Sequence, residues 1–216
     1  MKWFSLSEEN KRSNDFQVIA SKENLNLKEL NKFNPDLIFF PHWNWIVPKE
    51  ILDKFNCIVF HTAPLPFGRG GSPIQNLILK GFLESPICAL KMTEELDAGP
   101  IYLKKTLSLD GPLKEILKRM NTLVNEMIFE LTKKLPEPKD QVGKKTLFKR
   151  LTHEDNKIPK NISMKDAYDR IRMLDDVSYP NSFIEHGNLR IEFYEAEFAD
   201  QEIHCKVTVK PSKEMV

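Results

Sequence analysis

Two polar loops hold the residues that could do chemistry in this 216-residue chain. His61 opens a stretch rich in proline and glycine that runs to Pro73, and Asp97 lies in a turn that ends at Pro100. Proline and glycine at this density disfavour helices and strands, so both segments are predicted to be loops. An imidazole beside a carboxylate can accept or relay a proton during attack on a carbonyl carbon. We therefore predict that His61 and Asp97 form an acid–base pair in one shared cavity.

The loop after His61 is also suited to hold a ligand. Gly68, Gly70 and Gly71 allow close approach to the backbone, and Arg69 between them could pair with a phosphate or a carboxylate. Together with the acid–base pair, these residues suit the transfer of an activated acyl group to an amine.

The hydrophobic pattern predicts an α/β core that supports these loops. Residues 36–40 and 57–60 are continuous apolar runs, typical of strands buried on both faces, and residues 16–20 are predicted to be a further short strand. A helix over residues 24–33 and another beginning at Pro48 indicate a parallel sheet with crossover helices. His61 then lies at the C-terminal end of its strand, the edge where ligands bind in open α/β sheets.

The rest of the chain is predicted to contain strands on both sides of the Asp97 turn, a long amphipathic helix and a small C-terminal subdomain. We assign residues 1–140 to the core and residues 141–216 to the subdomain, because residues 136–145 form a polar connector. The predicted elements are a helix beginning at Ser72-Pro73, strands over 87–92 and 101–107, helices over 112–135 and 163–174, and a hairpin of 189–198 with 203–210.

Composition argues against several classes of protein. With 32 Lys and Arg against 31 Asp and Glu, the net charge of +1 gives no overall field that would attract a polyanion such as tRNA. Cys57, Cys88 and Cys205 are widely spaced and lack a metal-ligand pattern. No apolar run reaches the roughly 18 residues that a spanning helix needs. We therefore expect a soluble, cytoplasmic protein with reduced thiols, no metal, no nucleic-acid partner and no membrane partner.

In its motifs the chain resembles the folate-dependent formyltransferases, which include methionyl-tRNA, glycinamide ribonucleotide and sugar-nucleotide enzymes. The run from His61 to Pro73 is similar to the family's histidine, Leu-Pro and glycine–arginine pattern, and Asp97 to Pro100 is similar to its Asp-x-Gly-Pro turn. The resemblance covers roughly residues 34–135. It implies an α/β, Rossmann-like core, abbreviated because the segment before His61 is short for the family, and N10-formyltetrahydrofolate as the formyl donor without a metal.

The C-terminal segment after residue 140, the tail, is expected to indicate which molecule accepts the formyl group. Residues 148–155, 168–174 and Tyr179-Pro180 are similar to segments that follow the core in sugar N-formyltransferases, and the tail is shorter than the tRNA-binding domain of the methionyl-tRNA enzyme. The resemblance therefore favours the amine of a 4-amino-4,6-dideoxy sugar linked to UDP or dTDP, as in O-antigen or pseudaminic acid biosynthesis. It also allows a homodimer, because relatives often pair.

The resemblance also implies roles for individual residues. His61 would assist proton movement and Asp97 would orient and charge it. Val59 occupies the position of the family's asparagine, so His42 or Asn44 is predicted to supply the missing donor to the oxyanion. The residues predicted to bind folate are Pro66, Arg69, Gly70, Gly71, Thr93 and Leu96, and those predicted to bind the acceptor substrate are Thr62, Trp43, Trp45 and Tyr179.

Other interpretations stay open from the sequence. The same pair could serve formyl transfer to another small amine, or folate-dependent formyl hydrolysis with water as the nucleophile. Val59 could instead mark a non-catalytic relative that binds folate or a nucleotide. Asp97 could merely cap its own turn, and Trp43 and Trp45 could pack in a core or an interface.

Overall fold

The computed structural model describes residues 4–212 and places their strands in three sheets. The largest sheet has the order β1-β2-β4-β5, formed by Ile38–Phe40, Cys57–Thr62, Glu84–Lys91 and Ile101–Ser108. β1 and β2 are parallel, whereas β4 is antiparallel to both β2 and β5. The prediction of a parallel sheet is therefore right only for the first pair. The turn between β4 and β5 is too short for the helical crossover that a parallel pair needs.

Six α-helices and one short 3-10 helix, Glu154–Asn156, accompany the sheets in the described part of the chain. The α-helices are α1 (Glu8–Ser13), α2 (Leu27–Phe33), α3 (Lys49–Lys54), α4 (Pro73–Leu79), α5 (Leu113–Lys133) and α6 (Met164–Arg172). All but α1 lie where the sequence predicts a helix. α2 begins after Asn26, whose side chain accepts a hydrogen bond from the Glu29 amide, and ends at Asn34 in a left-handed conformation.

The main core lies between the four-stranded sheet and the helices α4 and α5. The apolar stripe predicted for α5 is buried along the helix, and a smaller core joins α2, α3 and β1. Residues 16–20, predicted as a strand, pair with no other strand, and Val18 is 75% exposed. That prediction is wrong because a short apolar run becomes a strand only where a partner edge is available.

The C-terminal half returns to the core before it forms its own sheet. β6 (Leu147–Phe148) pairs in parallel with β3 (Arg69–Gly70). β7 (Ser182–His186), β8 (Leu189–Ala199) and β9 (Glu202–Pro211) form an antiparallel sheet in that order. The hairpin predicted for the tail is thus β8 and β9, while β7 was not predicted. A domain boundary near residue 140 stays a prediction.

No helix within residues 4–212 has the length and apolar character needed to cross a membrane.

Candidate active site

His61 and Asp97 lie side by side near the end of β2. His61 pairs with Cys88 of β4 in the sheet register, and Asp97 comes from the turn between β4 and β5. The Nδ1 atom of His61 is 3.4 Å from Oδ2 of Asp97, and the two side chains are only 7% and 9% exposed. The fold therefore brings together the two residues on which the predicted chemistry depends.

The other ring nitrogen of His61 also has a partner. Nε2 lies 2.8 Å from the carbonyl oxygen of Gly68. A carbonyl only accepts hydrogen bonds, so Nε2 donates to Gly68, while Nδ1 faces the Asp97 carboxylate. The ring is held between two acceptors and must leave the Gly68 carbonyl before Nε2 can exchange a proton with a substrate.

The turn that carries Asp97 is defined by backbone packing. Asp97 has a left-handed conformation with φ of +50°, and its Oδ2 accepts a hydrogen bond of 2.9 Å from the Gly70 amide. A Cβ at Gly99 would lie 1.8 Å from the carbonyl oxygen of Lys91, which leaves no room for a side chain. The glycine of the Asp-x-Gly-Pro motif is thus required so that the turn can approach β4.

Gln141 ties this turn to Arg69. Its Nε2 donates to the carbonyl oxygens of Asp97 at 2.8 Å and Gly99 at 2.9 Å. Its Oε1 accepts from Nε and Nη2 of Arg69 at 3.1 and 2.9 Å. Sequence reasoning missed Gln141, because it belongs to a segment predicted to be a polar connector. No local pattern reveals contacts with residues 42 to 72 positions earlier in the chain.

The glycine-rich loop packs against residues 146–150. The Gly71 amide donates to the carbonyl oxygen of Phe148 at 3.2 Å. A Cβ would lie 2.6 Å from the Phe148 ring at Gly68, 2.7 Å from the Phe148 carbonyl oxygen at Gly70 and 2.5 Å from Cβ of Arg150 at Gly71. The glycines therefore allow two segments of this chain to approach each other. Contact of Gly70 and Gly71 with folate stays a prediction.

Arg69 is buried and has partners within the protein. Besides Gln141, its Nη1 donates to Glu95 at 3.0 Å. Lys145 pairs with the same carboxylate, and the two cations, Lys145 first, hold the pKa of Glu95 below its ordinary value. The charge of Arg69, predicted to meet a ligand anion, is thus compensated by neighbouring side chains in this structure.

An aromatic loop lies beside the Asp97 turn. Trp43 packs into the smaller core, and its ring centre is 4.8 Å from that of Trp45, which is 46% exposed. An ion pair between Lys49, at the start of α3, and Glu94 joins this region to the turn. Of the two predicted acceptor contacts here, Trp43 is therefore chiefly a packing residue and Trp45 faces solvent.

The position of the family asparagine offers no polar group. Val59 is half-buried in β2 and packs against both neighbouring hydrophobic clusters. His42 is half-buried and Asn44 is exposed, both on the loop that follows β1. Their role as donors to the oxyanion stays a prediction.

The remaining predicted contact residues lie in different surroundings. Leu96 is 65% exposed on the Asp97 turn, and the hydroxyl of Thr93 donates to the Glu95 carbonyl oxygen at 3.0 Å. Thr62 is buried and donates to Sδ of Met120 at 3.4 Å. Because adjacent residues of a strand point to opposite faces, Thr62 lies on the other side of β2 from His61.

Pro66 and Tyr179 both contact elements distant in sequence. The carbonyl oxygen of Pro66 accepts from the Thr146 amide at 3.2 Å. The Tyr179 hydroxyl is hydrogen-bonded to Gln75 of α4, and burial raises the pKa of this phenol above its ordinary value. Tyr179 therefore lies where the C-terminal half meets α4. Among residues 4–212, no three His, Cys, Asp or Glu side chains are grouped as a metal site.

Family models match both halves of the chain. A model described as Formyl transferase matches residues 4–127, and a model described as Methionyl-tRNA formyltransferase, C-terminal domain, matches residues 153–210. Because the first match alone spans more than half of the sequence, the chain belongs to the formyltransferase family.

Individual relatives show which members it is similar to. Methionyl-tRNA formyltransferase of Rickettsia africae is 29% identical over 197 residues, which cover 87% of this chain and 63% of that protein. The chain thus spans less than two thirds of that relative's length. The solved methionyl-tRNA formyltransferase from Clostridium thermocellum is 40% identical with a TM-score of 0.90, covering 95% of this chain and 91% of that one. A 4-N formyltransferase from Francisella tularensis is 20% identical with a TM-score of 0.60, covering 78% and 72%.

These matches confirm the predicted fold class and family but correct the acceptor. The prediction of a sugar-nucleotide N-formyltransferase in carbohydrate biosynthesis is wrong, because the likeness to methionyl-tRNA formyltransferases is much stronger than that to the sugar enzyme. The motifs around His61 and Asp97 are predicted to serve the transfer chemistry that the family's members share, so they do not distinguish acceptors. The argument from tail length fails because the C-terminal domain model matches within residues 153–210.

The prediction of no nucleic-acid partner is overturned by the same matches. It rested on net charge, which is a sum over the whole chain and does not exclude a local basic segment. Residues 139–150, next to the glycine-rich loop, contain five Lys and Arg side chains and one Asp.

Proposed function

We propose that this chain transfers the formyl group of N10-formyltetrahydrofolate to the amine of methionyl-tRNA. The observation that carries the choice of acceptor is the 40% identity to the Clostridium thermocellum methionyl-tRNA formyltransferase over nearly all of both chains. The pairing of His61 with Asp97 supports the chemistry, since transfer of an acyl group to an amine needs a group that moves protons.

The reaction requires two proton movements. The amine nitrogen attacks the formyl carbon, a new C–N bond forms, and the bond between that carbon and N10 of the folate breaks. The amine loses one proton and N10 gains one. His61 takes up and passes on the proton, and the Asp97 carboxylate, 3.4 Å away, stabilises the imidazolium that forms in between.

The rim of the site fits a flat and partly apolar donor. Trp45 is 46% exposed and Ile46 92% exposed on the loop after β1, and Leu96 is 65% exposed on the Asp97 turn. The Lys49–Glu94 pair holds these two segments together. Large exposed apolar side chains grouped in this way are typical of a ligand-binding surface. These residues would hold the folate, which supplies the activated formyl group when bound.

The test is formylation of methionyl-tRNA by purified protein with N10-formyltetrahydrofolate. We expect His61→Asn to lower kcat by at least about 10²-fold, and Asp97→Asn, which keeps an acceptor for the Gly70 amide, to lower it by at least about tenfold. His186→Asn, at an exposed histidine on β7, serves as the matched control and should leave the rate unchanged.

Two results would contradict the proposal in different ways. A His61→Asn protein with the wild-type rate refutes the role of the pair. A wild-type protein that releases tetrahydrofolate equally well with and without methionyl-tRNA refutes the acceptor and indicates hydrolysis.

A further inference from the structure

One buried hydrogen-bond donor in the smaller core has no acceptor. Among the buried side-chain nitrogen and oxygen atoms of residues 4–212, only Nε1 of Trp43 and Oδ1 of Asn10 lack a hydrogen-bond partner. Oδ1 of Asn10 is an acceptor, and the nitrogen of that amide donates to Asn125 of α5. The indole N–H of Trp43 is therefore the one unpaired buried side-chain donor in this part of the chain. Such a donor costs stability unless a ligand supplies the acceptor.

Trp43 lies on the face of the sheet that carries His61. It follows β1 on the loop that begins after Phe40, and its ring packs against the smaller core, as Val59 does. Phe40 pairs with Val59 in the register of β1 and β2. Because alternate residues of a strand point to the same face, Val59 and His61 share that face, about 7 Å apart along β2. The unpaired donor is thus a neighbour of the reacting pair.

The other polar groups around the pair are already engaged. Nε2 of His61 and the Gly70 amide both donate within the protein, and Arg69 is bonded to neighbouring side chains. Asn44 is exposed, so water competes for its amide, and His42 interacts with another group. Of these groups and the indole, only the indole N–H can donate to a ligand without giving up a protein partner or water.

Two aromatic rings flank the indole of Trp43. Their centres lie 5.7 Å away for Phe40 and 4.8 Å away for Trp45. The face of an aromatic ring is only a weak acceptor, so neither ring replaces an oxygen atom. Phe40 is buried in β1, whereas Trp45 is 46% exposed and Ile46 is 92% exposed. A ligand can therefore reach the N–H by displacing the exposed side chains of this loop.

Transfer of a formyl group creates a negative charge that needs such a donor. When the amine attacks the formyl carbon, the formyl oxygen becomes an oxyanion. A donor that is shielded from water stabilises this charge more strongly than the same donor in water. The packing of the Trp43 ring also fixes the direction of its N–H, so little reorganisation is needed as the charge develops.

We propose that the indole N–H of Trp43 donates a hydrogen bond to the formyl oxygen and stabilises the oxyanion during transfer. Val59, on the adjacent strand, is apolar and cannot do so. The role is compatible with packing, because packing uses the carbon atoms of the ring and donation uses only the N–H. This inference rests on the proposed function, which supplies the formyl group.

Substitutions at Trp43 separate donation from packing. Trp43→Phe keeps an aromatic ring without the N–H, so we expect kcat to fall about 10²-fold while KM for methionyl-tRNA stays within about twofold. Trp43→His fills less space but carries a ring nitrogen at the place of Nε1. We expect it to melt at a lower temperature than the Phe variant and yet to have a kcat about tenfold higher. Loss of packing alone predicts the opposite order of the two rates.

Phe55→Leu is the matched control. Phe55 is buried in the same core and holds no part of the site, so its substitution should lower the melting temperature and leave kcat unchanged. A Trp43→Phe protein with wild-type kcat, or a Trp43→His protein slower than the Phe variant, overturns the inference.

The indole N–H also gives a direct signal by nuclear magnetic resonance. The chain has three Trp residues, and the indole resonance that is absent from Trp43→Phe belongs to Trp43. We expect this resonance to move downfield when 10-formyl-5,8-dideazafolate, a stable analogue of the formyl donor, is bound. The same analogue without its formyl group should leave the resonance in place. A resonance that does not respond to the formyl analogue, although calorimetry shows that the analogue is bound, refutes the contact.

The inference and the proposed function fail in different ways. A chain that formylates methionyl-tRNA equally well with and without the Trp43→Phe substitution refutes the role of Trp43 alone. A chain whose Trp43 resonance responds to the formyl analogue but that transfers nothing to methionyl-tRNA refutes the proposed acceptor and leaves the contact standing. A wild-type protein that neither binds the analogue nor transfers a formyl group refutes both.

Discussion

Gln141→Leu tests whether a residue outside the reacting pair sets the position of Asp97. The substitution removes two hydrogen bonds to the carbonyls of Asp97 and Gly99 and two from Arg69. A neutral hydrogen bond contributes about 1 kcal/mol and one from a charged group about 1.5–3 kcal/mol. Arg69 keeps its bond to Glu95, and Gln141 is only half-buried, so water replaces part of the loss. We therefore expect the free energy of unfolding to fall by about 2–3 kcal/mol.

The expected loss of activity is larger than the loss of stability suggests. A shift of about 1 Å in a reacting group lowers the rate about 10²-fold, and Gln141 supplies two hydrogen bonds to the backbone of the Asp97 turn. We expect kcat to fall about 10- to 100-fold while KM for methionyl-tRNA stays within about twofold, because no acceptor contact is removed. Gln141→Glu separates the two sets of bonds. Its carboxylate still accepts from Arg69 but cannot donate to the turn, so we expect it to be more stable than the Leu variant and equally slow.

The measurements are urea unfolding followed by circular dichroism and steady-state formylation of methionyl-tRNA. Val142→Ala is the matched control, because this neighbour is 89% exposed and its substitution should change neither quantity. A Gln141→Glu protein with wild-type kcat would show that the turn holds Asp97 without help from this side chain, which refutes the reasoning.

Two further predictions concern packing and burial. Gly99→Ala would place its Cβ 1.8 Å from the Lys91 carbonyl oxygen, so we expect it to lower the free energy of unfolding by about 3 kcal/mol and to abolish most formylation. Unchanged urea unfolding would show that the turn can move aside. Burial raises the pKa of the Cys57 thiol to about 12 and that of Cys88 to about 11, so both remain protonated thiols at pH 8 and should react with Ellman's reagent only as the protein unfolds. Rapid labelling of either one in the folded protein would contradict its burial.

Much of the core follows from local sequence patterns. The apolar stripe of α5, the cap of α2 and the strands on both sides of the Asp97 turn are encoded in residues close together in sequence. The direction of the strands in the sheet was harder to predict from the sequence. Whether β4 runs parallel or antiparallel to β2 depends on how the chain turns between them, which side-chain periodicity does not report.

The pairing of His61 with Asp97 was predictable because motifs mark both residues, whereas the side chains that support the pair were not predictable. Gln141 contacts residues far earlier in the chain, and an amide in a polar segment carries no local signal. The glycines illustrate a further limit of local patterns. Their density suggests close approach of a ligand, and in the structure residues 146–150 also pass against Gly70 and Gly71. The sequence shows that a glycine has no side chain, but it does not show which atoms occupy the space that a side chain would fill.

The sequence by itself determined the family, the candidate pair of His61 and Asp97 and most of the elements that carry them, because these depend on residue types and on spacing within one segment. Tertiary structure decided which distant segments surround the pair. It tied the Asp97 turn to Arg69 through Gln141, set Thr62 on the far side of β2, and brought Arg190 within hydrogen-bond distance of His153. The physical reason is that each of these contacts depends on how separate elements pack against one another, and that packing is determined by the folded chain as a whole.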